Sequence, residues 1–224
     1  REALQMDPQQ RQLLETTYEA FEDAGINADD LAGSQMAVYV GISAHDYGDI
    51  GMTPSERVNI DGKTISGGSA SIVANRISYV FDLRGPSLSI DTACSSSLNA
   101  AHIACTALWN GECDTAVVAG VNSLIKPEIT MSFSTGGFLS PDGRSKTFDS
   151  RANGYIISEG VGAVILKPLS QAIEDGDKIY TTIVGTLSNQ DGLSDGISMP
   201  NQDAQVAILS ETYKRAGIDP SVIQ

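Results

Sequence analysis

The sequence predicts a layered α/β fold. Two observations carry this: segments with apolar residues at helical spacing alternate with short apolar runs of strand length, and Gly or Pro punctuates most of the junctions. The chain has 224 residues, 41% of them apolar, which is enough to build a substantial core.

The elements follow in order. Residues 9–24 are predicted helical, with Leu14, Thr17, Tyr18 and Phe21 on one face and Gly25 as the stop. Residues 36–41 read as a strand. A second helix over 69–81 follows Gly67-Gly68, turns Ala70, Val73, Ile77, Val80 and Phe81 inward, and ends before Gly85-Pro86. An apolar strand over 86–90 then leads into a helix whose positions 98, 101, 105 and 108 recur at helical spacing. The runs at 115–121 and 161–166 are nearly continuous in apolar residues, as expected of central strands covered on both faces. After Lys167-Pro168 come a short polar helix, a strand over 179–186, a loop, and an amphipathic helix at 203–216. The boundary drawn from this pattern separates residues 1–168 from a second unit starting at 169.

Cys94 stands at the junction of the 86–90 strand and the helix after it. Backbone N–H groups at a helix start are unpaired and carry the positive end of the helix dipole, which favours a thiolate. Cys94 is therefore the candidate nucleophile. Cys105, mid-helix, and Cys113 read as buried filler, the commoner fate of a free cysteine. Separations of eleven and eight residues fit no zinc spacing, and an odd count argues against a disulfide framework, so a reducing cytoplasm is expected. No apolar run reaches membrane-spanning length, and no secretory leader is visible. A net charge of −14 argues against a nucleic-acid surface.

Asp91-Thr92-Ala93-Cys94-Ser95-Ser96-Ser97-Leu98 resembles the active-site motif of β-ketoacyl synthases, specifically the ketosynthase domains of type I polyketide synthases and animal-type fatty acid synthases. Met6-Asp7-Pro8-Gln9-Gln10-Arg11, residues 18–25, Ala74-Asn75-Arg76-Ile77-Ser78-Tyr79, residues 139–144, Phe148-Asp149 and Glu159-Gly160-Val161-Gly162 continue the resemblance in order along essentially the whole chain. The resemblance implies a thiolase-like α/β/α fold of two similar halves. On that reading, residues 1–168 are the nucleophile-bearing half without its opening strand, 169–224 begin the second half, and the chain is a fragment of a longer polypeptide. It also implies a homodimer in which the 86–90 strand pairs with its two-fold mate.

The implied reaction is acyl transfer from carrier-protein phosphopantetheine to Cys94, followed by decarboxylative Claisen condensation with a malonyl-type thioester. No cofactor is bound directly; phosphopantetheine arrives on the acyl carrier protein domain. Such chemistry needs an oxyanion hole, for which the Cys94 N–H is a candidate, and donors to the enolate. The family's two catalytic histidines lie in second-half motifs that do not occur here. His102, eight residues beyond Cys94, stands about 12 Å away along a helix axis, and His45 in its Gly- and Asp-rich loop reads as a surface residue. The isolated segment is therefore expected to be inactive in decarboxylation and prone to aggregation. Phe133 matches a position lining the acyl pocket in related synthases, and equally fits a plain core aromatic. The loop 189–196 borders the phosphopantetheine access route by resemblance, although its composition needs only turn formation.

Other signals are weaker. Arg144, Lys146 and Arg151 are a candidate docking patch for an acidic carrier, or simply a solvated loop. Ser123-Leu124-Ile125-Lys126 matches an S-x-x-K pattern but precedes a proline instead of opening a helix. Gly160-Val161-Gly162 lacks the third glycine of a dinucleotide fingerprint. Ile156-Ile157-Ser158 departs from the small or basic residues usual in the family, which bears on substrate or subtype. The alternative function class is a non-catalytic homologue of the chain-length-factor or scaffold kind. Those usually replace the nucleophile, so Cys94 disfavours that class, and a cysteine hydrolase would need a histidine base that neither histidine supplies.

Overall fold

Alternate side chains of two central strands feed two separate cores, and this parity organises the molecule. The computed structural model describes residues 2–223. Its sheet has the order β2-β1-β3-β4, with β1 at Ala37–Gly41, β2 at Ser87–Ile90, β3 at Ala116–Asn122 and β4 at Gly160–Leu166. β1 runs parallel to β2 and β3, and β4 is antiparallel to β3. Val38, Val40, Val117, Ala119 and Val121 point to one face, with Leu13, Phe21, Val73 and Ile77. Ala37, Tyr39, Ala116 and Val118 point to the other, with Ala100, Ala104 and Ala107. That two-fold alternation is what a pleated strand buried on both faces must show.

The first face is covered by α1 (Pro8–Asp23) and α4 (Ala70–Val80), the second by α5 (Ser96–Trp109). Between them lie the short helices α2 (Asp46–Gly51) and α3 (Thr64–Gly68). α6 (Glu128–Thr135), α7 (Leu169–Asp175) and α8 (Gln202–Ala216) follow. The layered α/β/α architecture expected from the sequence is the one observed.

Helix faces differ from the apolar reading. In α1 the inward stripe is Gln9, Leu13, Thr17 and Phe21, each four residues apart, while Leu14 is only half-buried and Tyr18 is exposed. Two glutamines turn inward because they are saturated. Gln9 Nε2 donates to the Asp7 carboxylate and to Ala44 O, and its Oε1 accepts from Ser123 N. Gln10 Nε2 donates to Ser66 O and Gly67 O, and its Oε1 accepts from Arg76 Nε at 2.6 Å. A buried amide with its bonds made carries no desolvation penalty to speak of. In α4, Arg76 is buried as well, Val80 faces solvent, and Phe81 lies just past the helix, edge-on to Phe21 at 5.1 Å. In α5 the buried stripe is Ser96, Ala100, Ala104 and Ala107 with Cys105, and Leu98 is exposed.

Two strand expectations are corrected. β4 forms, but at the edge of the described sheet, with Val161 and Val164 exposed. Its apolar run therefore does not mark a strand covered on both faces here. Residues 179–186 form no strand, because no described strand lies beside them to take up their backbone groups; Ile179, Ile183 and Val184 are exposed. Helix α8 forms as expected, with Asn201 capping the N–H groups of Asp203 and Ala204.

Candidate active site

The cysteine sits on a tight turn between β2 and α5. Helix α5 begins at Ser96 with Ser95 as its N-cap, so Cys94 lies one residue ahead of the cap instead of opening the helix. Cys94 is exposed. The turn is made by Ala93, whose φ of +54° places a non-glycine residue in the left-handed region. Such a residue is strained and must be held from outside. Asp91 Oδ1 accepts the Ala93 N–H at 3.0 Å. The Ser96 hydroxyl donates to Ala93 O at 2.6 Å and accepts from Thr92 N at 2.9 Å. Ser95 N donates to Thr92 O, and none of the turn's hydrogen bonds takes the N–H of Cys94.

Two glycines allow the turn to sit where it does. A Cβ at Gly41, the last residue of β1, would lie 2.4 Å from Ser97 N, and one at Gly120 in β3 would lie 2.9 Å from Ser97 Cβ. The first turn of α5 therefore rests directly on the strand backbones, a contact open only to glycine. Sequence reasoning passed over both residues, although a glycine inside an otherwise apolar strand is a signal for close backbone approach. On its other flank, β2 is tied to α4 through Ser89 Oγ, which accepts from Ala74 N, and through the Ser78–Ser87 hydroxyl pair.

The remaining candidates sort clearly. Cys105 and Cys113 are buried, and burial pushes both thiols up from their ordinary range, with Asp114 and Glu112 adding to the effect at Cys113. Both are buried, as read. His45 is exposed, but its Nε2 lies 3.5 Å from Asp91 Oδ2, a pairing the sequence did not disclose. His102 Nδ1 meets Thr186 Oγ1 at 3.3 Å.

Phe133, on α6, is half-buried and meets Phe138 and Tyr155 edge-on at 5.8 and 6.1 Å. Tyr155 is held there by reciprocal backbone bonds: its N–H donates to Phe138 O and its carbonyl accepts from Ser140 N. The Tyr155 phenol is pushed up from its usual range, chiefly by burial. Tyr155 thus ties Phe133 and Phe138 into one aromatic cluster, a grouping the sequence did not disclose.

Of the suggested docking cations, Lys146 is engaged by Asp142 at 2.8 Å, Ser140 and Asn153, and Arg151 by Asp149 at 2.7 Å, so both brace their own loop. Ser123 and Lys126 serve separate partners, Gln9 with Gln12 and Asp49, and form no Ser–Lys pair. At the departing segment, Ser158 O accepts from Asn122 Nδ2, and Glu159 caps Leu124 N. The described residues contain no cluster of metal-ligating side chains, and no described helix is long and apolar enough to cross a membrane.

An exposed cysteine thus stands on a strained strand-to-helix turn laid over paired glycines in a parallel core. The family model of the beta-ketoacyl synthase N-terminal domain matches residues 1–172, and the chain belongs to that family. A hybrid PKS-NRPS synthetase from Neonectria sp. is 52% identical over 219 residues, which is 98% of this chain and 5% of that protein. A highly reducing polyketide synthase from Cryptosporiopsis sp. is 50% identical over 218 residues, 97% of this chain and 9% of that protein. The ketosynthase from module 6 of the bacillaene synthase of Bacillus subtilis 168 superposes with a TM-score of 0.89 at 43% identity, over 98% of this chain and 37% of that one. The chain thus matches a ketosynthase region and spans a small part of its curated relatives.

Proposed function

We propose that this chain is the nucleophile-bearing part of a polyketide synthase condensing domain, with residues 1–168 as its first half and 169–224 as the beginning of its second. The Cys94 thiolate attacks the thioester carbonyl of an acyl group carried on the phosphopantetheine of an acyl carrier protein domain. A C–S bond to Cys94 forms, the tetrahedral oxyanion accepts from the Cys94 N–H, and the bond to the carrier sulfur breaks, that sulfur leaving as a thiolate that takes up the proton Cys94 gave to solvent on ionising. Condensation with a malonyl-type thioester follows, through enolate donors that neither His45 nor His102 supplies. Phosphopantetheine comes only on the carrier, and Phe133 walls the acyl chain. The single observation that carries this reading is Cys94 exposed on the left-handed Ala93 turn.

The exposed edge of β2, the strand before the cysteine, suits a homodimer contact, and the exposed apolar residues of β4 and 179–184 suit burial under further chain of the same domain. Three free thiols suit a cytoplasmic setting.

Limiting iodoacetamide followed by peptide mapping of the polypeptide that carries these residues tests the reading. Cys94 is expected to be alkylated first, and incubation with an acyl thioester to add the acyl mass at Cys94 and not to a Cys94→Ala variant. Preferential alkylation of Cys105 or Cys113, or acylation that survives Cys94→Ala, overturns it.

A further inference from the structure

We propose that Asn99 is a positioning residue that couples the segment 186–188 to the Cys94 turn. Asparagine is a poor helix former, and Asn99 stands inside α5, one turn beyond the cap. Its amide is used in both directions. Nδ2 donates into the turn, with Thr92 Oγ1 at 3.0 Å, Ser95 Oγ at 3.1 Å and Ser95 O at 3.2 Å. Oδ1 accepts from Ser188 Oγ at 2.8 Å.

The pairing repeats along the helix. One turn further on, His102 Nδ1 meets Thr186 Oγ1 at 3.3 Å. The step from Asn99 to His102 on the helix thus matches the step from Ser188 to Thr186 on the segment, which lays 186–188 along α5 beside the nucleophile turn. Beyond it, Asn189 Nδ2 donates to Ala204 O, and Asp191 receives both the N–H and the side-chain amide of Asn201. The loop that starts at 189 is thereby anchored to α8 at one end and, through Ser188 and Asn99, to the cysteine turn at the other. Asn99 is the only one of these groups that bonds both the turn and the segment. Because the left-handed Ala93 must be held by its neighbours, a shift of Ser188 reaches Cys94 through one side chain.

The proposal rests on Cys94 being the reactive thiol, and its test keeps the two ideas apart. The second-order rate of Cys94 alkylation by iodoacetamide is measured in the polypeptide that carries these residues, for wild type, Ser188→Ala, Ser188→Thr, Asn99→Ala and the Ser188→Ala/Asn99→Ala double variant. Ser188→Ala, remote from the thiol, is expected to change the rate about three- to tenfold, as loss of one neutral hydrogen bond allows. Ser188→Thr, which keeps the hydroxyl, should restore the wild-type rate, and the double variant should match Asn99→Ala alone. Cys105 and Cys113 should stay protected throughout.

An unchanged rate in Ser188→Ala, additive effects in the double variant, or labelling of Cys105 in Ser188→Ala each overturns the coupling. If wild-type Cys94 is not the thiol alkylated, the functional reading fails instead.

Discussion

Gly41 and Ser97 approach so closely that a single added carbon on the glycine would stand 2.4 Å from the Ser97 backbone nitrogen. The end of β1 and the first turn of α5 are therefore in backbone contact, and the height of the Cys94 turn above the sheet is set there. Gly41→Ala is expected to lower stability by about 2 kcal/mol or more and to slow Cys94 alkylation. Gly120→Ala, which meets only the Ser97 side chain, should do less. Chemical denaturation together with thiol labelling checks both, and equal tolerance of the two alanines would contradict the close approach.

Ala93 gives a second test. Its left-handed φ costs an L-residue roughly 1–2 kcal/mol, which glycine avoids at the expense of a more flexible unfolded chain. Ala93→Gly should be close to neutral in stability, whereas Ala93→Val, β-branched, should be destabilising by about 2 kcal/mol or more. Thermal melts of the two variants decide the matter, and a neutral valine variant would show that the turn is free to relax.

Arg76 predicts a large effect from a residue outside the site. Its side chain is 9% exposed, and its guanidinium serves Gln10 Oε1, Ser66 O and Glu2 at 2.6, 2.9 and 3.0 Å. Removing it strands the buried Gln10 Oε1 and takes one of two donors from Ser66 O, and lysine, a point donor, cannot replace a planar fork. Both Arg76→Ala and Arg76→Lys should therefore lose about 2–4 kcal/mol in urea denaturation. A loss under about 0.5 kcal/mol in either variant, the range of ordinary surface substitutions, would contradict the network.

Tyr39 sets a limit at high pH. Burial, with Cys113 and Glu112 adding negative charge nearby, pushes its phenol up to about 12. The folded protein holds the proton more tightly than the unfolded chain, so the contribution is complete below pH 10 and is lost as the pH rises towards 12. Melting temperatures between pH 9 and 12 should fall less steeply in Tyr39→Phe than in wild type. Cys105 and Cys113, also raised by burial, leave a residual slope in the same direction. Identical slopes in the two proteins would exclude a role for Tyr39.

Much was legible in the sequence because it is written in local order. The alternation of helical and strand-like apolar runs determined the layered class, and Asp91 to Leu98 located the cysteine and its family. What only the tertiary structure decided is which side of each element faces inward. Gln9 and Gln10 turn inward because carbonyls and amides from distant loops meet their bonds, and Leu98 turns outward because the α5 stripe against the sheet must be small. The run 179–186 has strand composition but no described partner, and pairing is a property of neighbours, not of a segment. The His45–Asp91 pair, Tyr155 against Phe133, and the contacts of Gly41 and Gly120 with Ser97 all join residues far apart in the chain, and across such separations residue order carries no geometry.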